Sequence, residues 1–268
     1  MFGLELCNAS SPNASANSGK GTSVTGGHNA YGSWVQLVAS TAIDACLMCV
    51  RIWPTSNSSF RTFTSIGVGS GGNEVAIATD LYASSSTAGS NYTEYWFPCS
   101  IPAGSRVSAQ CCQSATTDAN NVTVILYDGT FEGFSGVDSI GVTIGSSIAT
   151  DIDPGSSANT KGAWTQVIAS TPRDYCGLMV LPGQNSTNNF AYTNPGGIDI
   201  AIGGSGSEQI IIPDMGMVAA GLATNANSAT PLIMTPVPAG TRIAARAQQG
   251  NTTSGTRVVG LALYGVYQ

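Results

Sequence analysis

Hydrophobic and polar residues alternate with a period of two wherever this chain has a clear pattern. Within 106–112, Val107, Ala109 and Cys111 lie on one face of the segment, and the intervening residues lie on the other. The segment 242–248 repeats this alternation. A period of two indicates half-buried β-strands, and a Pro-Ala-Gly sequence typical of a tight turn precedes each segment. The pattern therefore predicts an all-β protein.

Further short segments of strand-forming residues recur between turns rich in Gly, Ser and Asn. They are 34–39, 46–53, 74–78, 93–97 and 122–127, followed by 164–169, 176–181, 209–212, 231–234 and 258–264. No amphipathic helix of useful length is visible. Many short strands separated by such turns are typical of β-sandwiches and barrels. We predict two tandem antiparallel β-sandwich domains, jelly-roll-like in topology and with only short helical turns.

An internal repeat supports the division into two domains. The segment 32–46 returns as 162–176, and 101–107 returns as 237–243, in the same order. Units of this length are complete domains rather than solenoid repeats, so the repeat indicates an internal duplication. The predicted organisation is an N-terminal arm (1–20), β-sandwich domain 1 (21–130), a linker (131–155) and β-sandwich domain 2 (156–268).

The N-terminal arm has two interpretations. Its first seven residues are largely apolar, and the residues that follow, up to Gly21, are mostly small and polar. Such a segment is either a disordered tail or an arm that docks on a neighbouring subunit. The start of the chain lacks the basic and apolar regions of a signal peptide.

Several polar and aromatic positions occur in both copies of the repeat. They are Trp34, Gln36, Asp44, Asp80 and Arg106 in the first copy, and Trp164, Gln166, Asp174, Asp214 and Arg242 in the second. In one interpretation they are structural: the Trp closes one end of each sandwich and the Arg pairs with an Asp across a loop. In the other they form a duplicated ligand site, as in a lectin. We favour the structural interpretation, because nothing places an aromatic platform beside several polar groups.

Candidate catalytic chemistry is sparse. The single histidine, His28, has no equivalent in the second copy and no motif around it. Cys46 and Cys49 have a spacing seen in redox and zinc sites, but residues three apart on a strand point to opposite faces. The vicinal pair Cys111 and Cys112 should likewise place one thiol in the core and the other outside. We predict no catalytic residue and no cofactor.

Two carboxylates near the joint between the copies, Asp151 and Asp153, are too few for a calcium site, which needs six to eight oxygen ligands. We therefore predict no metal site. The chain has seven cysteines, of which only Cys176 lies in the second copy. A disulfide framework would recur in both copies, so we expect mostly buried free thiols.

Composition excludes some functional classes. Charged residues make up 9% of the chain and the net charge is -6, with two lysines. This balance argues against electrostatic binding of nucleic acid. No stretch approaches the ~20 apolar residues that a membrane-spanning helix requires. We predict neither nucleic acid nor membrane as a partner.

The phrase apolar-Pro-Ala-Gly-Thr/Ser-Arg-apolar-Ala at 101–109 and 237–245 resembles virion structural proteins of tailed bacteriophages. The Trp-x-Gln-apolar-apolar-Ala-Ser-Thr segments that begin at Trp34 and Trp164 share this resemblance. The resemblance implies a non-enzymatic protein that decorates or cements a capsid, or forms part of the neck or tail. It also implies self-association, with a trimer as one form, contacts with other virion proteins, and location in the virion after assembly in the host cytoplasm.

The alternative function is a carbohydrate-binding module of a receptor-binding tail protein. Duplicated sandwiches and exposed aromatic residues would serve it, and the candidates are Trp53, Tyr92, Tyr95 and Trp96. A hydrolase is a third hypothesis, but spacing alone pairs no acid and base carboxylates.

Overall fold

The computed structural model describes residues 4–7, 21–54, 60–85, 92–113, 119–129, 133–141, 150–183, 196–217, 229–250 and 259–268. These residues form β-strands, turns and irregular segments without a helix, so the prediction of an all-β protein is confirmed. The strands are β1 (Leu4–Cys7), β2 (Thr22–Thr25), β3 (Gly27–His28), β4 (Val35–Val38), β5 (Ala45–Pro54), β6 (Phe60–Val68), β7 (Val75–Ser85), β8 (Thr93–Ile101), β9 (Val107–Gln113), β10 (Ala119–Asp128), β11 (Gly136–Ile140), β12 (Thr150–Ile152), β13 (Thr165–Ile168), β14 (Gly177–Gly183), β15 (Gly196–Ile202), β16 (Gln209–Met217), β17 (Ile243–Gln249) and β18 (Val259–Tyr267).

The strands form three sheets. The first sheet has the order β1-β10-β5-β8, with β2 also on β10. The central sheet has nine strands in the order β12-β18-β11-β7-β6-β9-β3, with β14 on β18 and β4 on β9. The third sheet has the order β13-β17-β15-β16. The strand pairs are antiparallel, except that β11 and β7, and β3 and β9, are parallel.

The central sheet serves two hydrophobic cores. The first core is built mainly from the first sheet together with β6, β7 and β9, and the second from the third sheet together with β12. On β18, Tyr264 and Val266 belong to the first core, whereas Leu261 and Leu263 belong to the second. Because alternate residues of a strand point to opposite faces, β18 separates the cores and contributes to both.

The predicted N-terminal arm and the predicted linker both contain strands that pair with other strands of the chain, β10 and β18. Along one edge of β10, β1 pairs with residues 124–127 and β2 with residues 119–122. Along β18, β11 pairs with residues 263–267 and β12 with residues 259–261. The described part of the arm is thus an edge strand of the first sheet rather than a tail. The four-part domain division stays a prediction.

Most predicted strands are present with shifted ends. The strands that were not predicted are β1, β2, β3, β6, β11, β12 and β15. The segment 231–234 forms an isolated bridge between Ile233 and Leu178 instead of a strand. The prediction of an outward thiol at Cys112 was wrong, since Cys111 and Cys112 are both buried. All seven cysteines lie within the described residues and are free thiols.

Candidate functional site

The solvent-facing side of the first sheet carries a group of aromatic and charged side chains. On β5 the residues Met48, Val50 and Ile52 point into the first core, so the alternate positions face outward. The same alternation on β8 and β10 gives a common outer surface. We call its six side chains the aromatic face: Arg51, Trp53, Tyr92, Glu94, Trp96 and Tyr127.

Two ring pairs form the ends of the aromatic face. The ring centroids of Trp53 and Tyr92 are 5.4 Å apart with an interplanar angle of 40°. Those of Trp96 and Tyr127 are also 5.4 Å apart, at 35°. Trp96 is one of the large apolar side chains that remain exposed, with 37% of its surface accessible.

An ion pair lies between the ring pairs. The Arg51 Nε donates to Glu94 Oε2 at 2.6 Å, and the Trp96 indole Nε1 donates to Glu94 Oε1 at 2.6 Å. Partial burial acts to raise the pKa of Glu94, but the hydrogen bonds from Trp96 and Arg51 outweigh it and hold this pKa below its ordinary value. Glu94 is therefore a carboxylate at neutral pH, fixed in place by two donors.

Cys49 lies beneath this face and is buried, with Trp96 and Ile125 as its neighbours on the adjacent strands. Burial, and to a smaller extent the charge of Glu94, raises the pKa of its thiol to about 12. A thiol with this pKa stays protonated at neutral pH, so it is not a nucleophile. The chemistry of the aromatic face is therefore ring stacking and hydrogen bonding.

The sequence pattern did not single out Arg51, Glu94 or Tyr127. It proposed Tyr95 as an exposed aromatic residue, but Tyr95 is completely buried. Adjacent residues of a strand point to opposite faces, so Trp96 and Tyr95 on β8 cannot both be exposed on one face. This alternation could have distinguished the exposed Trp96 from the buried Tyr95.

The repeated arginines each bind a glutamate rather than the predicted aspartate. Arg106 Nη1 lies 2.5 Å from Glu74 Oε1, and its Nε donates to Gln36 Oε1 at 3.0 Å. In the second copy, Arg242 makes the corresponding contacts with Glu208 at 3.1 Å and Gln166 at 3.1 Å. These residues hold a hairpin turn to a neighbouring strand, which is a structural role.

Asp44 and Asp174 also have matching contacts. Each accepts a hydrogen bond from a backbone N–H of a Pro-Ala-Gly turn, Ala103 at 2.8 Å and Ala239 at 2.7 Å. Of the two tryptophans, Trp34 lies over Gly67, and the ring of Trp164 stacks under the Arg246 guanidinium at 4.5 Å. None of the repeated residues belongs to the aromatic face.

Asp80 and Asp214 occupy corresponding positions with different surroundings. Asp80 accepts hydrogen bonds from the Tyr31 hydroxyl and, at 2.7 Å, from Ser139 Oγ. Asp214 instead lies 2.7 Å from Lys161 Nζ, and its side chain is 72% exposed.

A buried carboxylate lies beside Asp214. Asp199 accepts hydrogen bonds from Lys161 Nζ, the Asp214 backbone N–H and Arg246 Nε, each at 2.8 Å. Both oxygens of Asp199 are thus engaged in ion pairs, and this arrangement is structural.

The described residues contain no group of three or more His, Cys, Asp or Glu side chains placed to hold a metal ion. Within the same residues there is no helical segment with the length and hydropathy of a membrane span.

No protein-family model matches this chain, and no curated protein does. Among solved structures, PNGase F, a glycosylasparaginase from Flavobacterium meningosepticum, is similar at 9% identity and a TM-score of 0.42, covering 100% of this chain and 96% of its own. A peptide-N(4)-(N-acetyl-β-D-glucosaminyl) asparagine amidase gives 10% identity and a TM-score of 0.41, over 99% and 96% of the two chains. The tandem CBM22-1–CBM22-2 domain of Paenibacillus barcinonensis Xyn10C gives 8% identity and a TM-score of 0.25, over 99% and 90%.

These neighbours contradict the predicted bacteriophage virion protein, because the two with the higher scores are amidases. The same finding overturns three further predictions. They are the capsid or tail function, the absence of enzymatic activity, and the partners, which were copies of the chain and other virion proteins. The predicted location in the virion is not tested by it. At these identities and TM-scores the likeness assigns no activity and no catalytic residue to this chain.

Proposed function

We propose that the protein binds a carbohydrate on the aromatic face. The proposal rests mainly on the two aromatic pairs that flank the Arg51–Glu94 ion pair on one solvent-facing side of the first sheet. A pyranose ring presents C–H groups on its faces and hydroxyls on its rim. The C–H groups stack on aromatic rings, and the hydroxyls donate to a carboxylate or accept from a guanidinium.

A comparison within the chain supports a hydrated ligand on the aromatic face rather than another protein domain packed permanently against it. The side of β14 and β18 that faces the first core carries Met179, Leu181, Ala262 and Val266, which are apolar and buried. The aromatic face instead keeps a charged pair and a partly exposed tryptophan. Burying Arg51 and Glu94 against another domain would cost the hydration of two charges, whereas a sugar replaces water with its own hydroxyls.

The spacing of the ring pairs suits an oligosaccharide. Trp53 lies on β5 four residues beyond Cys49, which is opposite Trp96 on β8. Four residues of extended strand span roughly 13 Å. This length exceeds one sugar ring, so a short oligosaccharide would contact both ring pairs while its middle unit faces Arg51 and Glu94.

We also propose that the chain consists of two jelly-roll-like domains that arose by an internal duplication. Matching contacts of Arg106 and Arg242, and of Asp44 and Asp174, support an internal duplication. In that arrangement the first copy carries the aromatic face, and the corresponding side of the second copy packs on the first.

Titration calorimetry with cello-, xylo- and chito-oligosaccharides and with a glycopeptide bearing a high-mannose N-glycan tests the proposal. We expect at least one to bind, with about tenfold weaker binding for Trp96→Ala and for Trp53→Ala. Val75→Ala is the matched control, because Val75 is 66% exposed but lies on the central sheet. Mass spectrometry of the glycopeptide distinguishes binding from cleavage. Absence of binding across the panel, or binding that both tryptophan variants leave unchanged, would refute it.

A further inference from the structure

The two copies of the repeat differ sharply at one pair of facing positions. In the central sheet, Phe63 on β6 lies opposite Tyr82 on β7, and their ring centroids are 5.8 Å apart inside the first core. At the corresponding positions of the third sheet, Gly197 on β15 lies opposite Gly216 on β16. The third sheet therefore has no side chains where the central sheet carries two aromatic rings.

The backbone does not require glycine at either position. Neither Gly197 nor Gly216 has a positive φ, so other residues could adopt both conformations. Gly216 is exposed, and a Cβ on Gly197 would make only contacts of 3.6 Å or longer. Because the glycines are not needed for the chain's path, what they supply is space. We call the depression that they leave on the sheet, on the side turned away from the second core, the glycine site.

Three polar side chains converge on the glycine site. A Cβ on Gly197 would lie 3.6 Å from Lys161 Nζ and 3.7 Å from Asp214 Oδ1. It would also lie 3.8 Å from Gln248 Nε2. In the first copy the position of Gln248 is taken by Cys112, which is buried beside Phe63. The glycine site is thus lined by an ammonium, a carboxylate and an amide, which together can donate and accept hydrogen bonds.

The first copy indicates what the carboxylate can accept. Asp80, which corresponds to Asp214, accepts from the Tyr31 hydroxyl on Oδ1 and from the Ser139 hydroxyl on Oδ2 at 2.7 Å. Asp214 Oδ1 lies 2.7 Å from Lys161 Nζ, and the Asp214 side chain is 72% exposed. A ligand hydroxyl on Asp214 Oδ2 would therefore repeat the contact that Ser139 makes with Asp80.

The charges around the glycine site favour an uncharged ligand. Two cationic side chains, Lys161 and Arg246, pair with two carboxylates, Asp199 and Asp214. Since these charges balance, a ligand anion or cation would gain little net attraction. A ligand with several hydroxyls suits the mixture of donors and acceptors.

We propose that the glycine site binds one pyranose ring of a carbohydrate, with a sugar hydroxyl donating to Asp214. A pyranose is a six-membered ring, comparable in size to one of the aromatic rings that fill the corresponding place in the first copy. Its hydroxyl rim matches the polar lining, which an aromatic side chain would not. This second site lies on the third sheet, and its argument does not depend on the aromatic face.

NMR of the isotope-labelled full chain tests the proposal, with the methyl glycosides of glucose, galactose and mannose as probes. We expect saturable shifts from at least one probe, centred on the amides of Gly197, Asp214 and Gly216. The same shifts should occur in a chain carrying both Trp53→Ala and Trp96→Ala. That variant separates this site from the aromatic face, so either proposal can fail without the other.

Two substitutions locate the ligand. Asp214→Asn keeps a residue type that tolerates the left-handed backbone, with φ of 44°, and should weaken binding about tenfold. Gly216→Leu fills the depression and should abolish binding. The matched controls are Asp44→Asn and Gly71→Leu, at exposed positions of the first copy, and both should leave binding unchanged. The unliganded spectrum of each variant reports whether it is folded.

Three outcomes would overturn the proposal. One is the absence of saturable shifts from all three glycosides. Another is binding that folded Asp214→Asn and Gly216→Leu variants both leave unchanged. The third is a set of shifts that the two tryptophan substitutions remove, which would place the sugar on the aromatic face alone.

Discussion

The ring of Tyr264 packs edge-on against the ring of Tyr95, with centroids 5.4 Å apart and an interplanar angle of 81°, although 169 residues separate them. The Tyr95 hydroxyl donates to the Tyr82 carbonyl at 2.6 Å, and the Tyr264 hydroxyl donates to the Asp80 carbonyl at 3.1 Å. The Tyr264 hydroxyl also accepts from the Tyr82 N–H at 2.8 Å. The pair thus joins β18 to β7 and β8 inside the first core.

Replacing Tyr264 with phenylalanine should destabilise the whole protein. The change keeps the ring contact but removes the hydroxyl that accepts from the Tyr82 N–H and donates to the Asp80 carbonyl. Losing these two buried hydrogen bonds costs about 1–3 kcal/mol. Urea denaturation measures the loss. Tyr267→Phe is a control on the same strand, because that side chain is less buried. An unchanged midpoint for Tyr264→Phe would contradict this account of the junction.

Glycines at equivalent positions of the repeat should be equally intolerant of a side chain. A Cβ at Gly32 would lie 2.3 Å from the Thr25 carbonyl oxygen, and one at Gly162 would lie 2.4 Å from that of Asp153. We expect Gly32→Ala and Gly162→Ala each to cost about 1–3 kcal/mol of unfolding free energy. Gly216→Ala meets no atom within 4 Å and should leave thermal stability nearly unchanged.

Asp199 should make stability depend on pH in the acid range. Burial acts to raise the pKa of Asp199, but its bonds from Lys161, the Asp214 N–H and Arg246 keep that pKa below its ordinary value. A lowered carboxyl pKa contributes stability above the unfolded value of about 3.9, and this contribution is lost as the pH falls through the folded value.

We therefore expect Asp199→Asn to cost about 3 kcal/mol at pH 7 and to flatten the pH dependence of the unfolding free energy between neutral and acid pH. The neighbouring Asp214→Asn should cost less than about 1 kcal/mol, since that side chain is largely exposed. Equal pH profiles for wild type and Asp199→Asn would rule out this assignment.

Replacing Gln113 with methionine should stabilise the protein. Neither its Oε1 nor its Nε2 has a hydrogen-bond partner among the described residues, and the side chain is completely buried. Gln113→Met keeps the length and removes two unsatisfied polar atoms, so we expect a gain of about 1 kcal/mol, seen as a higher melting temperature. Gln110→Met, at a half-buried position of the same strand, should change little. A lower melting temperature for Gln113→Met would show that its amide is satisfied in solution.

The sequence pattern predicted the strands whose residues alternate or repeat. Arg106 and Arg242 head two such strands, and their matching surroundings follow from matching neighbours. Strands buried on both sides escaped, because a strand between two layers loses the alternation that identifies it. β6 and β15 are of this kind, with Phe63 and Ile66 buried on the first and Ile200 and Ala201 on the second.

The aromatic face was only partly predictable. Trp53, Tyr92 and Trp96 were recognisable as aromatic residues in or near predicted strands. Their grouping with Arg51 and Tyr127 depends on the register of β5 between β8 and β10. Register is set by pairing between distant segments, and no local pattern within one strand specifies it.

The two-sided position of β18 has a consequence for biosynthesis. A chain emerging from the ribosome completes β1 to β10 long before residues 259–267 exist. Until then the first core lacks Tyr264 and Val266, which cover it from the other side. The N-terminal half of the nascent chain therefore exposes apolar surface until β18 is synthesised. Partly folded intermediates with exposed apolar surface are prone to aggregation. The arrival of a single strand then closes both cores, which couples the two halves into one folding unit.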